Sequence, residues 1–243
     1  MNLIETVSYE EMSIKAAEII FEKVKNKPAS TLGLATGGTP LGTYRELINI
    51  YNKERTSFQH LSTINLDEYV GLADDHPQSY HMYMHEHLFK YLDIPASQTH
   101  LPDGLAKDLD GECARYDKLI EQLGGVDLQL LGIGQNGHIG FNEPGTLFNT
   151  RTHVETLTES TRKANARYFS NQSDVPTHAI TMGIQSIFQS REILLLASGI
   201  KKAEAIRRLI EGDVTEDFPA SILKNHANLT VIADREALSK STI

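Results

Sequence analysis

The chain has 243 residues, of which 40% are hydrophobic and 23% are charged, and its formal net charge at pH 7 is −9. This composition is typical of a folded globular protein and excludes a largely disordered one, while the negative charge argues against nucleic acid or an anionic membrane surface as a partner. The acidic N-terminal residues fit neither a signal peptide nor a transit peptide, and no apolar run is long enough for a membrane helix, so we expect a single cytoplasmic domain over residues 1–243.

The first predicted elements are helices with recognisable N-terminal caps, separated by short apolar strands. Ser8 and Glu11 form a capping-box pattern that opens a helix over residues 8–25. Thr39 and Pro40 fit the N-cap and the first turn of a second helix, which follows an apolar strand at residues 31–36. The next predicted elements are a strand at residues 63–67 and helices at residues 79–91 and 108–123.

The same alternation continues through the second half of the chain. Predicted strands occupy residues 127–133, 179–182, 193–198 and 229–234, and predicted helices occupy residues 161–169 and 201–211. This alternation is typical of an α/β fold with a mainly parallel sheet and helices on both of its faces. The single cysteine, Cys113, cannot form an internal disulfide and falls at an apolar position of a predicted helix, so we expect it to pack in the core.

Four unusual segments directly follow predicted strands. They are residues 36–39, 67–69, 134–145 and 199–202. In mainly parallel sheets, ligands bind at the carboxyl ends of the strands, where the chain turns into loops. We therefore expect these four segments to converge on one edge of the sheet and to form the functional site.

The first of these segments has the composition of an anion-binding turn. Gly37 and Gly38 allow a ligand to approach the backbone, and Thr36 and Thr39 supply hydroxyl groups. The helix N-terminus that follows presents free N–H groups to an anion. A plain strand-to-helix turn would explain the two glycines equally well, and the spacing fits neither a dinucleotide-binding fingerprint nor a Walker loop.

Two other segments carry groups that can move protons. Asp67 ends an apolar strand, where partial burial would raise the pKa of a carboxyl toward neutrality and suit it to act as a general base, although an aspartate that only caps or turns needs no such chemistry. Residues 132–145 contain five glycines and His138, whose imidazole can take and give a proton near pH 7. Glu143 or Asn136 could fix the orientation of its ring. The alternative interpretation is a surface loop with a solvated histidine.

A resemblance to a known family is carried by five stretches, LATGGTP, NLDEYVGL, GIGQNGHIGFNEPG, TRKANARYF and SGIKKAEA. From one end of the chain to the other, they are similar to the glucosamine-6-phosphate deaminase family. The resemblance implies a three-layer, modified Rossmann-like sandwich and the conversion of glucosamine 6-phosphate and water to fructose 6-phosphate and ammonia, without a metal or an organic cofactor. It implies that His138, supported by Asn136 and Glu143, assists opening of the sugar ring, and that Asp67 moves the C2 proton to C1.

The resemblance also implies where the substrate phosphate binds. The implied residues are Thr36, Gly37, Gly38, Thr39, Arg167 and Lys202. A protein with a negative net charge needs local cations to bind an anion, and a guanidinium fork together with an ammonium suits a phosphate group.

The sequence departs from well-known members of the family at two points. Asn136 stands where those members carry an aspartate, and an asparagine cannot stabilise an imidazolium by charge, so His138 should be less basic and the pH profile should differ while activity persists. The chain also lacks the longer C-terminal segment of allosterically regulated members. We therefore do not expect regulation by N-acetylglucosamine 6-phosphate, and we expect a monomer or at most a small homo-oligomer.

Three histidines lie on one predicted helix. His81 and His85 share a helical face, but His87 falls off that face, so we expect no metal site and interpret this helix as part of a lid over the sugar.

Two other functions stay open. A 6-phosphogluconolactonase would share the fold, but it would cleave an ester without a carbon-acid base at Asp67. A non-catalytic sugar-phosphate sensor, of the kind attached to transcriptional regulators, would need a DNA-binding module, and the chain has neither a basic face nor an additional helix-turn-helix.

Overall fold

A computed structural model describes residues 1–169 and 171–242 of the chain. Within these residues the backbone forms ten β-strands and eight α-helices, joined by loops and short 3₁₀ turns. The strands are β1 (Asn2–Thr6), β2 (Thr31–Leu34), β3 (Ser62–Asn65), β4 (Asp67–Tyr69), β5 (Thr99–His100), β6 (Leu128–Gly132), β7 (His153–Thr156), β8 (His178–Thr181), β9 (Ile193–Ala197) and β10 (Leu229–Asp234). The helices are α1 (Tyr9–Asn26), α2 (Leu41–Glu54), α3 (Tyr80–His87), α4 (Leu109–Gln122), α5 (Glu159–Asn165), α6 (Ile184–Phe188), α7 (Ala203–Glu211) and α8 (Arg235–Leu238).

Seven strands form the central sheet in the order β1-β10-β9-β6-β2-β3-β5, and every neighbouring pair is parallel. Strand β9 is buried along its whole length, as expected for a parallel strand covered on both faces. Because β9, β6 and β2 are adjacent in this order, the loops that leave their carboxyl ends are also adjacent. The sheet therefore brings together the segments that follow these three strands.

Helices cover both faces of this sheet, and alternate residues of β9 mark the two faces. Leu194 and Leu196 pack in one cluster with side chains of α1, α2 and α3. Ile193 and Leu195 pack in another with side chains of α4, α6, α7 and α8. The three-layer α/β sandwich predicted for this chain is confirmed.

A second, three-stranded sheet in the order β4-β8-β7 is antiparallel and was not predicted. It branches from the central sheet at Leu66, whose N–H donates to the Leu34 carbonyl of β2 at 3.1 Å and whose carbonyl accepts from the N–H of Met182 at 2.7 Å. The prediction that Asp67 closes the strand over residues 63–67 is therefore wrong. Strand β3 ends two residues earlier, and Asp67 begins β4, opposite Thr181 of β8.

Of the two helix caps predicted from the sequence, one is right and the other is displaced by one residue. The Ser8 side chain caps α1 by accepting from the N–H of Glu11, and Asp108 caps α4 in the same way. Pro40, not Thr39, is the N-cap of α2, because Pro40 already has right-handed helical dihedrals and its carbonyl accepts the N–H of Tyr44. The cap predicted at Thr39 is wrong for this reason.

Other boundaries differ from the predicted ones where helices end in 3₁₀ turns. The helix predicted over residues 79–91 breaks at Leu88, whose dihedrals are not helical, and the helix predicted over residues 161–169 gives way to a 3₁₀ turn at Ala166–Tyr168. The segment over residues 201–211 begins with a 3₁₀ turn, Ile200–Lys202, before α7. The short elements β1, β5, β7, α6 and α8 carry too little periodicity to be predicted.

Cys113 lies buried on α4, as expected for a packing residue. Burial, together with the nearby Asp110 and Asp117 carboxylates, raises the pKa of its thiol to about 11. Across the part of the chain that the structure describes, the helices lack the combination of length and apolar character that a membrane span requires.

Candidate active site

The Asp67 carboxyl lies buried where the two sheets part. Its side chain is 6% exposed, and no residue within 1–169 or 171–242 donates a hydrogen bond to it. Burial, reinforced by the negative charge of Glu68, raises its pKa from 3.8 to about 8. The carboxyl thus titrates close to neutrality, as a general base must.

The loop over residues 134–145 runs beside this carboxyl. A Cβ placed on Gly140 would lie 3.6 Å from Asp67 Oδ2 and 3.0 Å from Thr181 Oγ1. Asn142 anchors the same loop, because its buried side-chain amide donates to the carbonyls of Ile139 and Met182. The second sheet therefore brings Asp67 and the histidine-containing loop together.

His138 is held by a chain of hydrogen bonds inside this loop. Its Nδ1 lies 2.8 Å from Asn136 Oδ1, and the amide nitrogen of Asn136 donates to Glu143 Oε2 at 2.8 Å. Glu143 Oε2 is 3.8 Å from His138 Nδ1, so its contact with the ring is mainly through the asparagine. Gly134 is required beneath the ring, since a Cβ there would lie 2.3 Å from the imidazole.

This chain fixes which ring nitrogen carries the proton. The Glu143 carboxylate can only accept, so the NH₂ group of Asn136 faces it and the carbonyl oxygen of Asn136 faces His138. Nδ1 must then donate, and Nε2 carries the free lone pair. The neutral imidazole is left with an acceptor at Nε2 for a proton of a bound ligand.

Two cations stand near the histidine. Lys202, at the N-terminus of α7, donates from Nζ to the carbonyl of Ile133 at 2.6 Å, at the entrance to the histidine loop. Burial, together with the charge of Arg167, lowers the pKa of Lys202. Burial also lowers the pKa of His138; the charge of Glu143 opposes this effect and that of Lys202 adds to it. The charge of Arg167 therefore acts on Lys202, and the charge of Lys202 acts on the imidazole.

The glycine turn after β2 is held by tyrosine hydroxyls. Tyr83 donates to the carbonyl of Gly37 at 2.6 Å, and the Tyr9 hydroxyl lies 3.1 Å from the carbonyls of both Gly38 and Thr39. These contacts fix the carbonyls, while the N–H groups of residues 36–39 donate to no residue that the structure describes. With φ of +96° at Gly37, the turn has the backbone shape and the free donors of an anion cradle.

The structure thus gathers the residues predicted to form a site at one edge. Residues 36–39, 134–145 and 199–202 follow adjacent strands, and Asp67 reaches the same place from the second sheet. Sequence reasoning missed Tyr9, Tyr83 and Thr161, which support these groups from other elements. The cap of α5, where the Thr158 side chain accepts the N–H of Thr161, marks the start of that helix but not the contact of Thr161 with Glu143.

The three histidines of the predicted lid helix have other partners. His81 Nδ1 contacts the buried Glu68 carboxylate at 2.9 Å, His85 contacts Glu86, and His87 packs edge-on against Tyr83. Within the described ranges, no group of three or more His, Cys, Asp or Glu side chains is arranged to hold a metal ion. Glu68 also accepts the N–H groups of Tyr80 and His81, which fixes the start of α3 against β4.

The sequence and the fold were compared with known proteins. The family model of glucosamine-6-phosphate isomerases and 6-phosphogluconolactonases matches residues 7–232. A glucosamine-6-phosphate deaminase of Geobacillus sp. (strain WCH70) is 59% identical over 98% of this chain and 95% of its own length. Glucosamine-6-phosphate deaminase 1 of Bacillus subtilis (strain 168) is 56% identical over 98% of this chain and 99% of its own length.

Solved structures give the same two groups of relatives. A monomeric glucosamine-6-phosphate deaminase superposes with a TM-score of 0.97 at 56% identity, covering 99% of this chain and 100% of the other. A 6-phosphogluconolactonase from Trypanosoma cruzi superposes with a TM-score of 0.77 at 21% identity, covering 100% of this chain and 97% of the other. The second likeness is one of fold alone.

Replacing Asp67 by asparagine should make stability less dependent on pH. The folded state raises the pKa of this carboxyl from 3.8 to about 8, so it holds the proton more tightly than the unfolded chain does. The stabilisation that this carboxyl contributes is complete at pH values below its pKa in the unfolded chain, and it is lost as the pH rises toward its folded pKa of about 8. The melting temperature of the parent should therefore fall relative to that of Asp67→Asn, by on the order of a few degrees per pH unit between these limits. Asp213→Asn, which removes an exposed carboxylate, is the control. If the melting temperatures of both variants differ from that of the parent by an amount that does not change with pH, the raised pKa of Asp67 is contradicted.

Replacing Tyr83 by phenylalanine should weaken the anion cradle. The variant loses the hydroxyl that fixes the Gly37 carbonyl, a hydrogen bond of roughly 1 kcal/mol, so its affinity for inorganic phosphate should fall about fivefold by calorimetry. Tyr91→Phe is the matched control, since Tyr91 is an exposed ring on the segment after α3. Equal phosphate affinities for the two variants would show that the Tyr83 hydroxyl does not shape the turn.

Proposed function

The chain belongs to the family of glucosamine-6-phosphate isomerases and 6-phosphogluconolactonases, and on this basis we propose that it is an enzyme that converts glucosamine 6-phosphate and water to fructose 6-phosphate and ammonia. Relatives that are 56–59% identical over nearly the whole chain bear the name of this deaminase. The lactonases share the fold at 21% identity or thereabouts, which carries no argument about the reaction.

One observation favours the deaminase over the lactonase, namely the buried Asp67 carboxyl with a pKa of about 8. Moving a proton between neighbouring carbon atoms requires a positioned base that also returns the proton, and a carboxyl that titrates near neutrality can do both. Hydrolysis of a lactone breaks no C–H bond and would leave this group without a task. The buried Asp67 carboxyl therefore supports the deaminase reaction over lactone hydrolysis.

The substrate phosphate is proposed to bind on the N–H groups of residues 36–39, with Arg167 and Lys202 as its counter-charges. The N–H groups of the turn donate to no residue that the structure describes, and burial together with repulsion from Arg167 lowers the pKa of Lys202. Binding of a dianion there would remove this repulsion. The phosphate would then anchor the sugar next to the histidine loop.

Ring opening is assigned to His138. With Nδ1–H held by Asn136, Nε2 can take the proton of the anomeric hydroxyl and return it to the ring oxygen, which breaks the C1–O bond of the ring and leaves an open-chain aldehyde. The proton that leaves one oxygen is the one delivered to the other, so the imidazole ends neutral as it began. Burial, which lowers the pKa of His138, favours this neutral starting form.

Asp67 then acts on the open-chain sugar. As a carboxylate it removes the proton from C2 and delivers it to C1, while a proton of the nitrogen passes to the oxygen on C1, so that C1 becomes a CH₂OH group and C2 is doubly bonded to nitrogen. Water then adds at C2, the C–N bond breaks, and ammonia leaves as the ketone forms. The ammonium group that the substrate carries on C2 would lower the pKa of Asp67 on binding, because a cation beside a carboxyl favours its charged form. The conversion is internally redox-neutral, so it needs no oxidant or organic cofactor.

The same proposal includes one domain over residues 1–243, a monomeric state and a cytoplasmic location. The relative with a TM-score of 0.97 is described as a monomer, which supports the monomeric state. Sugar phosphates are the products and substrates of intracellular metabolism, and this supports the location.

Purified protein should release ammonia from glucosamine 6-phosphate, and Asp67→Asn should lower the rate about a thousandfold, since it removes the proton carrier. Ammonia and fructose 6-phosphate are measured together by coupled assays. Asp213→Asn, the exposed control, should keep parental activity. Hydrolysis of 6-phosphogluconolactone without ammonia release would show that the chain is a lactonase. Ammonia release by Asp67→Asn at the parental rate would remove Asp67 from the mechanism and leave the deaminase activity in place.

Replacing Asn136 by aspartate should keep the enzyme active and change its pH profile. A charge 2.8 Å from Nδ1 stabilises the imidazolium, so the pKa of His138 should rise by about one unit or more and activity should decline sooner as the pH falls. The profile of kcat/KM and an NMR titration of the imidazole measure this shift. Gln135→Glu adds the same charge at the exposed neighbouring position and should leave both curves close to the parent, whereas an unchanged profile for Asn136→Asp would contradict the role of Asn136.

A further inference from the structure

Glu143 uses its two carboxylate oxygens on different elements. Oε2 accepts from the side-chain amide of Asn136 and so holds the histidine loop. Oε1 accepts from the hydroxyl of Thr161 at 2.5 Å, and from that of Thr158 at 3.4 Å, both at the N-terminus of α5. Glu143 is 7% exposed, so these bonds are formed away from bulk water. The carboxylate thus bridges the histidine loop and α5.

Helix α5 is the element that leads to Arg167. The 3₁₀ turn Ala166–Tyr168 follows α5 without an intervening loop, and the charge of Arg167 reaches Lys202. The position of α5 therefore determines the position of a proposed phosphate-binding cation. A contact between α5 and Glu143 connects the phosphate end of the site with the imidazole end.

We propose that Thr161 is a positioning residue that couples the placement of α5, and with it Arg167, to the orientation of His138. The hydroxyl of Thr161 fixes Oε1 of Glu143, and the carboxylate then presents Oε2 to the amide of Asn136. The amide in turn holds Nδ1–H and leaves the lone pair on Nε2. This inference rests on the proposed function, because it is that reaction which needs the lone pair on Nε2.

The bonding pattern explains why a hydroxyl is needed at this position. Asn136 carries no charge, so it affects His138 only through the orientation of its side-chain amide, which Glu143 sets. Without the Thr161 hydroxyl, only the longer contact with Thr158 holds Oε1, so the carboxylate can swing away from Asn136. The amide then loses the acceptor that orients it and can turn over, which would exchange the donor and acceptor facing the imidazole. Thr161, which lies outside the loop, holds the carboxylate in place. The side chain of Lys163, two residues further along α5, points to solvent and makes no contact with Glu143.

The test replaces Thr161 by valine, which keeps the shape and removes the hydroxyl, and by serine, which keeps the hydroxyl. For Thr161→Val we expect kcat/KM for glucosamine 6-phosphate to fall roughly tenfold or more, the loss of a hydrogen bond to a charged group, with kcat reduced as well as KM raised. Thr161→Ser should recover most of the activity. Lys163→Ala, an exposed substitution on the same helix, should behave like the parent.

A double-mutant cycle tests whether Thr161 acts through Glu143. In a Glu143→Gln background, Thr161→Val should change kcat/KM less than twofold, because the carboxylate that it positions is absent. The ¹⁵N shifts of the His138 ring give a second measurement that needs no turnover. They should show the Nδ1–H form in the parent and in Lys163→Ala, and a mixture of both neutral forms in Thr161→Val.

The outcomes separate this inference from the proposed function. If the parent releases no ammonia, the proposed function fails, and the ¹⁵N shifts still decide whether Thr161 controls the imidazole. If the parent is active but Thr161→Val matches it in rate and in ¹⁵N shifts, the coupling is overturned. An equal loss in both backgrounds would also overturn it, since Thr161 would then act independently of Glu143.

Discussion

The candidate site depends on a single residue whose backbone bonds to two sheets. Leu66 donates its N–H to the central sheet and offers its carbonyl to the second sheet, so the next residue is carried out of the central plane. That residue is Asp67, which pairs with Thr181 in β8 and lies beside the loop that follows β6. Had the strand continued straight, alternation would have pointed this carboxyl into a helix-covered face of the sheet. The branching places a carboxyl in a buried position that still adjoins a ligand site.

An acidic chain can bind the proposed phosphate by local means. The net charge is −9, whereas the proposed phosphate site combines Lys202, Arg167 and the N–H groups of one glycine turn, which donate to no residue that the structure describes. Lys202 is partly buried, and partly buried charges are screened less than exposed ones, so its attraction for a bound anion outweighs the repulsion from distant surface carboxylates. Burial and the charge of Lys202 lower the pKa of His138 and favour its neutral form, and Glu143 offsets part of that effect.

The sequence was informative wherever a signal is local, and it failed where contacts are distant. Ser8 marks the start of its helix because a cap is formed within three residues, and the family motifs predicted functional roles for His138 and Asp67. The place of Asp67 in a second sheet was not predictable, since β4 has three residues and its partner β8 lies more than a hundred positions away. Thr161 is hidden for the same reason, because its contact with Glu143 closes a loop that only the folded chain defines.

Cys113 has a practical consequence for work on this chain. It is the only cysteine, it lies buried on α4, and its thiol, with a pKa of about 11, holds its proton at neutral pH. Thiolates, not thiols, react with maleimides and iodoacetamides. A cysteine engineered at an exposed position of α5 would therefore take up a fluorophore selectively in an otherwise native background. Movement of that helix during turnover could then be followed one molecule at a time.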